Sequence, residues 1–411
     1  MLPEKDLDLP PARRRVALYS HDTQGLGHIR RNINIAAAMV ADDPSIDVLL
    51  LTGTPEATML PLPPSTEVLT LPAVHKDSSG RYSARVLTAP LDEVLALRSA
   101  LIEAALVAFA PDLFIVDKVA RGVGGELDRP LAALRRTGRT RTVLGLRDVL
   151  DAAPATRLDW KRDGTTAAVR DLYDALWIYG DPTVYDAVRE YSLPKAVADK
   201  VTYTGYLAGP RPGQLSTRFC GPCLLPAPDQ KFVLCTVGGG QDGVELARTF
   251  LTATMPAGHH GVVLTGPFMC DDDRRQLQEL ADNRGDATVH EFVSQAHEFI
   301  QRSAAAVSMA GYNTVCELLA AGCPTLLVPR VIPRTEQSVR AERLERSGVV
   351  DVVSAAEITP EHIGTWLSTA VHAPSVTHAA IDLNGLDRIA AMAGKLAALS
   401  PRPARKVPAY A

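Results

Sequence analysis

The stretch Ser308-Met-Ala-Gly-Tyr-Asn-Thr-Val-Cys-Glu-Leu-Leu-Ala-Ala-Gly-Cys-Pro-Thr-Leu-Leu-Val-Pro-Arg330, continuing Val-Ile-Pro-Arg-Thr-Glu336-Gln337, decides the fold. Apolar runs at 304–309 and 325–328 read as buried strands, and 313–321 has the three-to-four spacing of a helix between them. That is a βαβ unit, and open parallel sheets bind ligands at the carboxyl ends of their strands. Both carboxyl ends here carry polar residues. Asn313 and Thr314 stand at the helix start, where they either cap it or present backbone N–H groups to a phosphate. Glu317 follows within one turn. Its carboxylate there accepts two hydrogen bonds from adjacent sugar hydroxyls, or else it is a surface glutamate near a favourable helix dipole.

The same alternation extends outward in both directions. Strands are expected at 15–20, 46–52, 67–71, 113–117, 142–146, 175–179 and 200–204, then at 232–237, 261–265 and 287–292. The clearest remaining helices are 29–40, 91–108, 244–254, 274–283 and 336–346. Strands that are apolar on both faces belong to parallel sheets covered by helices. The Pro/Gly-rich segment 206–229 interrupts the pattern and reads as a linker. The expected organisation is therefore two doubly wound α/β domains, 13–205 and 230–375. A C-terminal helix follows within 376–400, and the tail 401–411 is expected to be disordered.

With 411 residues the chain exceeds one comfortable hydrophobic core, in keeping with two domains. A net charge of −4 gives no bulk field for nucleic acid. The most apolar stretch, 91–119, carries Asp92, Glu93, Arg98, Glu103, Asp112 and Asp117, which excludes a lipid-spanning helix and leaves at most a peripheral membrane contact. The N-terminus lacks the order of a signal peptide, so a cytoplasmic protein is expected. Six cysteines in so long a chain form no disulfide framework. Cys220-Gly-Pro-Cys223 spells a redox motif but sits in the linker without the strand and helix that motif needs. The run Asp271–Asp273 reads as a solvated helix start, and no metal site is expected.

Two glycine-rich turns sit where a strand becomes a helix. Val237-Gly-Gly-Gly-Gln-Asp-Gly243 places four glycines within six residues, more than turn geometry requires. It lacks the Lys-Ser/Thr of a P-loop, so the expected role is close backbone approach to a phosphate or nucleotide. The earlier turn, Gly25-Leu-Gly27-His28, precedes Arg30 and Arg31. It begins like a dinucleotide fingerprint but has Arg30 at the third glycine position, which weakens a dehydrogenase reading.

The block Gly311-Tyr-Asn-Thr-Val-Cys-Glu317, Gly322-Cys-Pro-Thr, Val328-Pro-Arg330 and Glu336-Gln337 resembles the donor-binding block of GT-B glycosyltransferases of the family-28 type. The turn 237–243 resembles that family's diphosphate loop. Tyr19-Ser-His-Asp22 followed by Gly25-Leu-Gly27-His28-Ile-Arg30-Arg31 looks like a bacterial branch of the same fold. The resemblance implies two Rossmann-like domains facing across a cleft, with the last helix packing back on the first domain. It implies a nucleotide-sugar, most simply a UDP-sugar, as co-substrate, with no further cofactor and no metal. It places Gly239, Gly240 and Gln241 near the diphosphate, Gly311 in the donor-binding site, Glu317 on the ribose, and Glu336 and Gln337 on the donor sugar. The main chain at Phe292 and Val293 would meet the base. Gly25, Gly27, Arg30, Arg330 and Arg334 are the expected phosphate or acceptor contacts.

Two positions depart from the family. Met309 stands where relatives carry a basic or imidazole residue toward phosphate, and Arg340 replaces an asparagine. For the chemistry, an imidazole suits removal of an acceptor hydroxyl proton near neutral pH. His28 is the expected base of an inverting single displacement, and Asp117, at the end of an N-terminal strand, would fix its tautomer. Contacting phosphate alone is the alternative for His28, and helix capping for Asp117. His21 and Asp22 compete for the role of base, while His75 lies in a loop suited to acceptor. The acceptor itself, a saccharide or small molecule, and the oligomeric state stay open. A nucleotide-sugar 2-epimerase and a binding subunit without turnover are the rival functions.

Overall fold

Two parallel sheets dominate the computed structural model, which describes residues 13–22, 25–76, 81–209, 225–291, 293, 296–375 and 380–399. Cys220, Cys223, Phe292 and the tail 401–411 lie outside the described residues, as does most of the expected linker.

The N-terminal lobe contains β1 (Arg14–Ser20), β2 (Ile46–Thr52), β3 (Thr66–Thr70), a small antiparallel hairpin of β4 (Val74–Lys76) and β5 (Tyr82–Ala84), β6 (Leu113–Asp117), β7 (Arg141–Arg147), β8 (Ala175–Tyr179) and β9 (Val201–Tyr203). Seven of these form one parallel sheet in the order β3-β2-β1-β6-β7-β8-β9. The C-terminal lobe contains β10 (Phe232–Thr236), β11 (His260–Leu264), β12 (Ala287–His290), β13 (Ala306–Ser308), β14 (Thr325–Leu327) and β15 (Asp351–Val352). They form a parallel sheet in the order β12-β11-β10-β13-β14-β15. Each order reverses beside the lobe's first strand, β1 or β10. That topological switch point opens a crevice at the carboxyl ends of the strands. The fold is thus the expected α/β arrangement of two Rossmann-like lobes.

The central strands β1, β6 and β10 owe their position to composition. The sequences Val-Ala-Leu-Tyr, Leu-Phe-Ile-Val and Phe-Val-Leu-Cys are buried on both faces, as a parallel sheet between helix layers demands. The helix Leu91–Phe109 keeps an exposed apolar side, including Leu97, Leu101 and Val107. No helix among the described residues is long and apolar enough to cross a membrane. The hairpin β4/β5 and the two-residue β15 had no periodic signal, being shorter than the alternation needed to reveal a strand.

The last helix, Gly385–Ala397, crosses back to the N-terminal lobe and packs on the helix Gly27–Asp42. Leu386, Ile389, Ala390 and Ala393 join the same apolar cluster as Ile29, Ile33 and Ala36. Gly385 fits against the carbonyls of Gly205 and Tyr206, where a Cβ would come within 2.6 Å of both oxygens.

Beneath the N-terminal sheet, Arg98 and Glu126 form a fully buried ion pair, with Arg98 Nη2 donating to Glu126 Oε1 at 2.9 Å. Tyr19 donates its hydroxyl to the same carboxylate, and Arg98 Nη1 donates to the Pro72 carbonyl at 2.6 Å. Removing one member of a buried pair strands the other charge in a low-dielectric interior. Glu126→Ala is therefore expected to destabilise the protein by about 3–5 kcal/mol. Chemical denaturation of the variant beside the wild type measures this, and a loss well under ~1 kcal/mol would show the cluster to be solvated.

Candidate functional site

Four helix starts converge between the lobes. The helix Gly27–Asp42 enters from the N-terminal lobe. The helices Val244–Thr252, Tyr312–Ala321 and Glu336–Arg346 enter from the C-terminal lobe. Each leaves unpaired N–H groups and the positive end of its dipole at the cavity between them. The cavity, of about 250 Å³, is lined by Gly25, Gly27, His28, Arg30 and Arg31 from one side. From the other side come Gly238–Asp242, Val293, Gly311, Asn313, Thr314, Glu317, Arg330, Glu336 and Gln337. Anions are stabilised where helix N-termini meet, so the cavity suits a phosphate-bearing ligand.

The turn after β10 is held by close backbone packing. A Cβ on Gly240, whose φ is +88°, would lie 2.3 Å from the Thr265 carbonyl oxygen; one on Gly266 (φ +81°) would lie 2.3 Å from that of Gly238. Only glycine fits both positions, and the exposed Gly239 is thereby fixed as backbone facing the cavity. Arg330 lines the same end and donates to Asp242 and, at 3.1 Å, to Glu336. Met309 also lines the cavity and supplies no hydrogen-bond donor there.

Glu317 lies on the cavity side of the Tyr312–Ala321 helix, and burial raises its carboxyl above the usual range, offset by Arg30 and His297. Burial also acts on Glu336, but Arg147, Arg330 and Arg340 outweigh it and keep the carboxylate ionised. Glu336 Oε1 receives Arg330 and lies 3.5 Å from Arg147 Nη2, whereas Oε2 has no partner. A buried carboxylate oxygen left without a donor costs free energy until one is supplied. Gln337 accepts the Arg330 N–H at 3.3 Å.

On the opposite wall, His28 and Arg31 stand one helical turn apart, and both reach Asp117 at the end of β6. Asp117 accepts from His28 Nδ1, from Arg31 Nε at 2.9 Å and from Arg31 Nη2 at 2.7 Å. Burial pushes the Asp117 carboxyl up, but Arg31 and His28 overcome it and hold it well below the ordinary range. Burial lowers the His28 imidazole to about 4, although Asp117 favours its charged form. At neutral pH the ring is therefore uncharged. With Nδ1–H donated to Asp117, the Nε2 lone pair is free.

Several sequence expectations land elsewhere. Asn313 does not cap its helix, because the chain turns helical at Tyr312 and Gly311 is the flanking residue. Asn313 Nδ2 instead donates across the cleft to the Gly27 carbonyl at 2.8 Å. Arg334 does not line the cavity; it reaches Asp151 and Asp159 of the N-terminal lobe at 3.4 and 3.3 Å. Asp117 caps no helix. Asp22 is engaged by Ser20, by Thr52 at 2.7 Å and by the Ile29 N–H at 3.1 Å, and burial raises its carboxyl to about 6. His21 is buried against the His28 ring, 4.6 Å between centroids, and burial lowers its imidazole. His75 is exposed on β4, away from the cavity lining. Arg31, Arg147 and Asp242 were missed as cavity residues. The helical spacing of Arg31 from His28 was the available signal for the first.

The lobes are joined by Arg340, fully buried, whose Nη2 donates to Asp148 at 2.6 Å and Nη1 to the Ala310 carbonyl at 2.8 Å. The Tyr312 ring lies between the Arg340 and Arg31 guanidinium groups, 5.6 and 5.5 Å from its centroid. Arg343 adds a contact to Glu190 at 2.9 Å.

Residues 233–384 match the glycosyltransferase family 28 C-terminal domain. The UDP-N-acetylglucosamine–N-acetylmuramyl-(pentapeptide) pyrophosphoryl-undecaprenol N-acetylglucosamine transferase of Synechococcus elongatus is 33% identical over 181 residues. That alignment covers 42% of this chain and 46% of the relative, so the chain spans about half the length of the curated relatives it matches. Among solved structures, the glycosyltransferase VinC in complex with DTDP aligns over 93% of this chain and 98% of its own, with TM-score 0.59 and 16% identity. The kitacinnamycin glycotransferase aligns over 94% and 100%, with TM-score 0.58 and 15% identity. The chain has the two-lobed GT-B fold, and its C-terminal lobe is similar to the glycosyltransferase family 28 C-terminal domain.

Proposed function

We propose that the protein is an inverting glycosyltransferase that moves a sugar from a nucleotide diphosphate, most simply UDP, to an acceptor hydroxyl. One observation carries the reading: a neutral imidazole braced by a buried carboxylate faces, across one cavity, a wall of glycine backbone, helix starts and two carboxylates. Glu317 would take the ribose hydroxyls, and the main chain at Val293 the base. The backbone at 238–240, the helix starts and Arg330 would hold the diphosphate. Glu336 Oε2 and Gln337 would hold the donor sugar.

His28 Nε2 takes the proton of the acceptor hydroxyl as its oxygen bonds to the anomeric carbon. The bond from that carbon to the diphosphate breaks on the opposite face, and the departing negative charge is met by N–H groups and Arg330. Asp117 keeps Nδ1 protonated, and Arg31 keeps Asp117 in place. These fixed positive groups perform the task that a divalent cation performs elsewhere, which supports a metal-independent reaction. The name of the Synechococcus relative supports a UDP donor and a saccharide or lipid-linked acceptor.

UDP at a hundred times its dissociation constant is expected to stabilise the protein by about 2.7 kcal/mol, seen as a raised Tm, with no change in EDTA. Glu317→Gln should weaken UDP. His28→Ala should bind UDP normally while transfer to acceptor falls about 10²–10⁴-fold. Transfer at the wild-type rate would remove His28 from the mechanism, and release of an epimerised UDP-sugar without acceptor would replace it with epimerase chemistry.

The low His28 value sets a second expectation. The acid limb of kcat/KM should fall near pH 4, where the folded imidazole gains its proton, rather than near 6.5. Because the folded value lies below the unfolded one, neutral His28 contributes stability that is complete above about pH 6.5 and is lost as pH falls toward 4. A limb at 6.5 would indicate a solvated imidazole or a different base.

A further inference from the structure

Lys118 follows Asp117 directly and holds φ at +66°, a left-handed conformation that non-glycine residues seldom adopt. Such backbone persists where the surroundings over-determine it, and it clusters at ligand sites. The residue is partly buried, and its ammonium has no hydrogen-bond or ion-pair partner among the described residues. Its charge acts on His21 and His28 of its own lobe and is acted on by Arg334 and Glu336 of the other. Its backbone N–H donates to the Gly145 carbonyl of β7 at 2.7 Å, which sets it beside the strand end that carries Arg147 and next to Asp117, the partner of the expected base, yet outside the lining of the donor cavity.

The anions nearby are already engaged. Asp117 is held by Arg31 and His28, Asp148 by Arg340, and Asp151 by Arg334. Glu336 is shared between Arg330 and Arg147. Arg147 has only long contacts, 3.5 Å to Glu336 and 3.4 Å to the Leu150 carbonyl, and its buried Nε has no partner. The Lys118 amine and the Arg147 Nε are thus polar groups left without a partner in a partly desolvated place, which costs free energy until a ligand supplies one.

We propose that Lys118 and Arg147 form an acceptor subsite for an acidic group, a phosphate or a carboxylate, carried by the acceptor close to its reacting hydroxyl. The proposal rests on the glycosyltransferase reading, in which His28 meets that hydroxyl. Burial, Arg147 and Arg334 hold the Lys118 amine well below its ordinary value, so anion docking should draw a proton onto it.

The test is calorimetric titration of the UDP-saturated protein with glucose 6-phosphate, glucuronate and neutral glucose. An acidic sugar should bind at least tenfold more tightly than glucose, with proton uptake that shows as a heat differing between buffers of unlike ionisation enthalpy. The acid that binds names the group. Lys118→Met should reduce its affinity to that of glucose and abolish the proton uptake, while UDP affinity is unchanged; Arg147→Gln should weaken it at least tenfold and serves if the first variant misfolds. Acids that bind no better than glucose, a Lys118→Met variant that binds them normally, or an acid that UDP displaces would overturn the subsite. Failure of UDP itself to bind would strike the glycosyltransferase reading first.

Discussion

The Arg340–Asp148 pair sets the distance across which everything else is arranged. It joins the end of β7 to the helix Glu336–Arg346, and through the Ala310 carbonyl it also reaches the turn that starts the Tyr312–Ala321 helix. Glu336 and Gln337 sit one turn before Arg340 on its helix, so the pair fixes the carboxylate and amide at the cavity wall. Both charges are buried, and a buried pair of this kind contributes registry more securely than net stability. Tyr312 extends the joint by placing its ring between guanidinium groups from both lobes.

The two walls of the cavity use burial in opposite ways. On the C-terminal side charge is supplied by backbone dipoles, which need no ordering of long side chains when a ligand enters. Met309, on the same wall, supplies no hydrogen-bond donor. On the N-terminal side charge is withheld: His28 is kept neutral by desolvation, while Asp117 is kept ionised by Arg31. One carboxylate thus serves a guanidinium and an imidazole, and desolvation leaves the imidazole uncharged at neutral pH in spite of that carboxylate.

Most of the architecture was legible because parallel strands buried on both faces give uninterrupted apolar runs. The spans 46–52, 113–117, 175–179 and 336–346 needed no adjustment at all. Helix starts shifted where capping was assumed: Asn313 looked like a cap by residue type, yet its amide is drawn to Gly27 of the other lobe, a partner that local sequence does not reveal. Arg334 was read as a phosphate or acceptor contact for the same reason, since its carboxylate partners lie 175 and 183 residues away. The pairing of His28 with Asp117 could be expected from strand order; the third member, Arg31, was visible only as a helical neighbour. Long-range electrostatic partnerships are set by topology, and periodicity is silent about them.

The return of the Gly385–Ala397 helix to the first lobe means that the division of labour and the division of the polypeptide do not coincide. The apolar stripe Ile29–Ile33–Ala36, on the helix that presents His28, takes its cover from the far end of the chain. An N-terminal lobe grafted onto a foreign C-terminal lobe must bring these closing residues with it, and the chain cannot seal the wall that carries its imidazole until residues 385–397 have emerged.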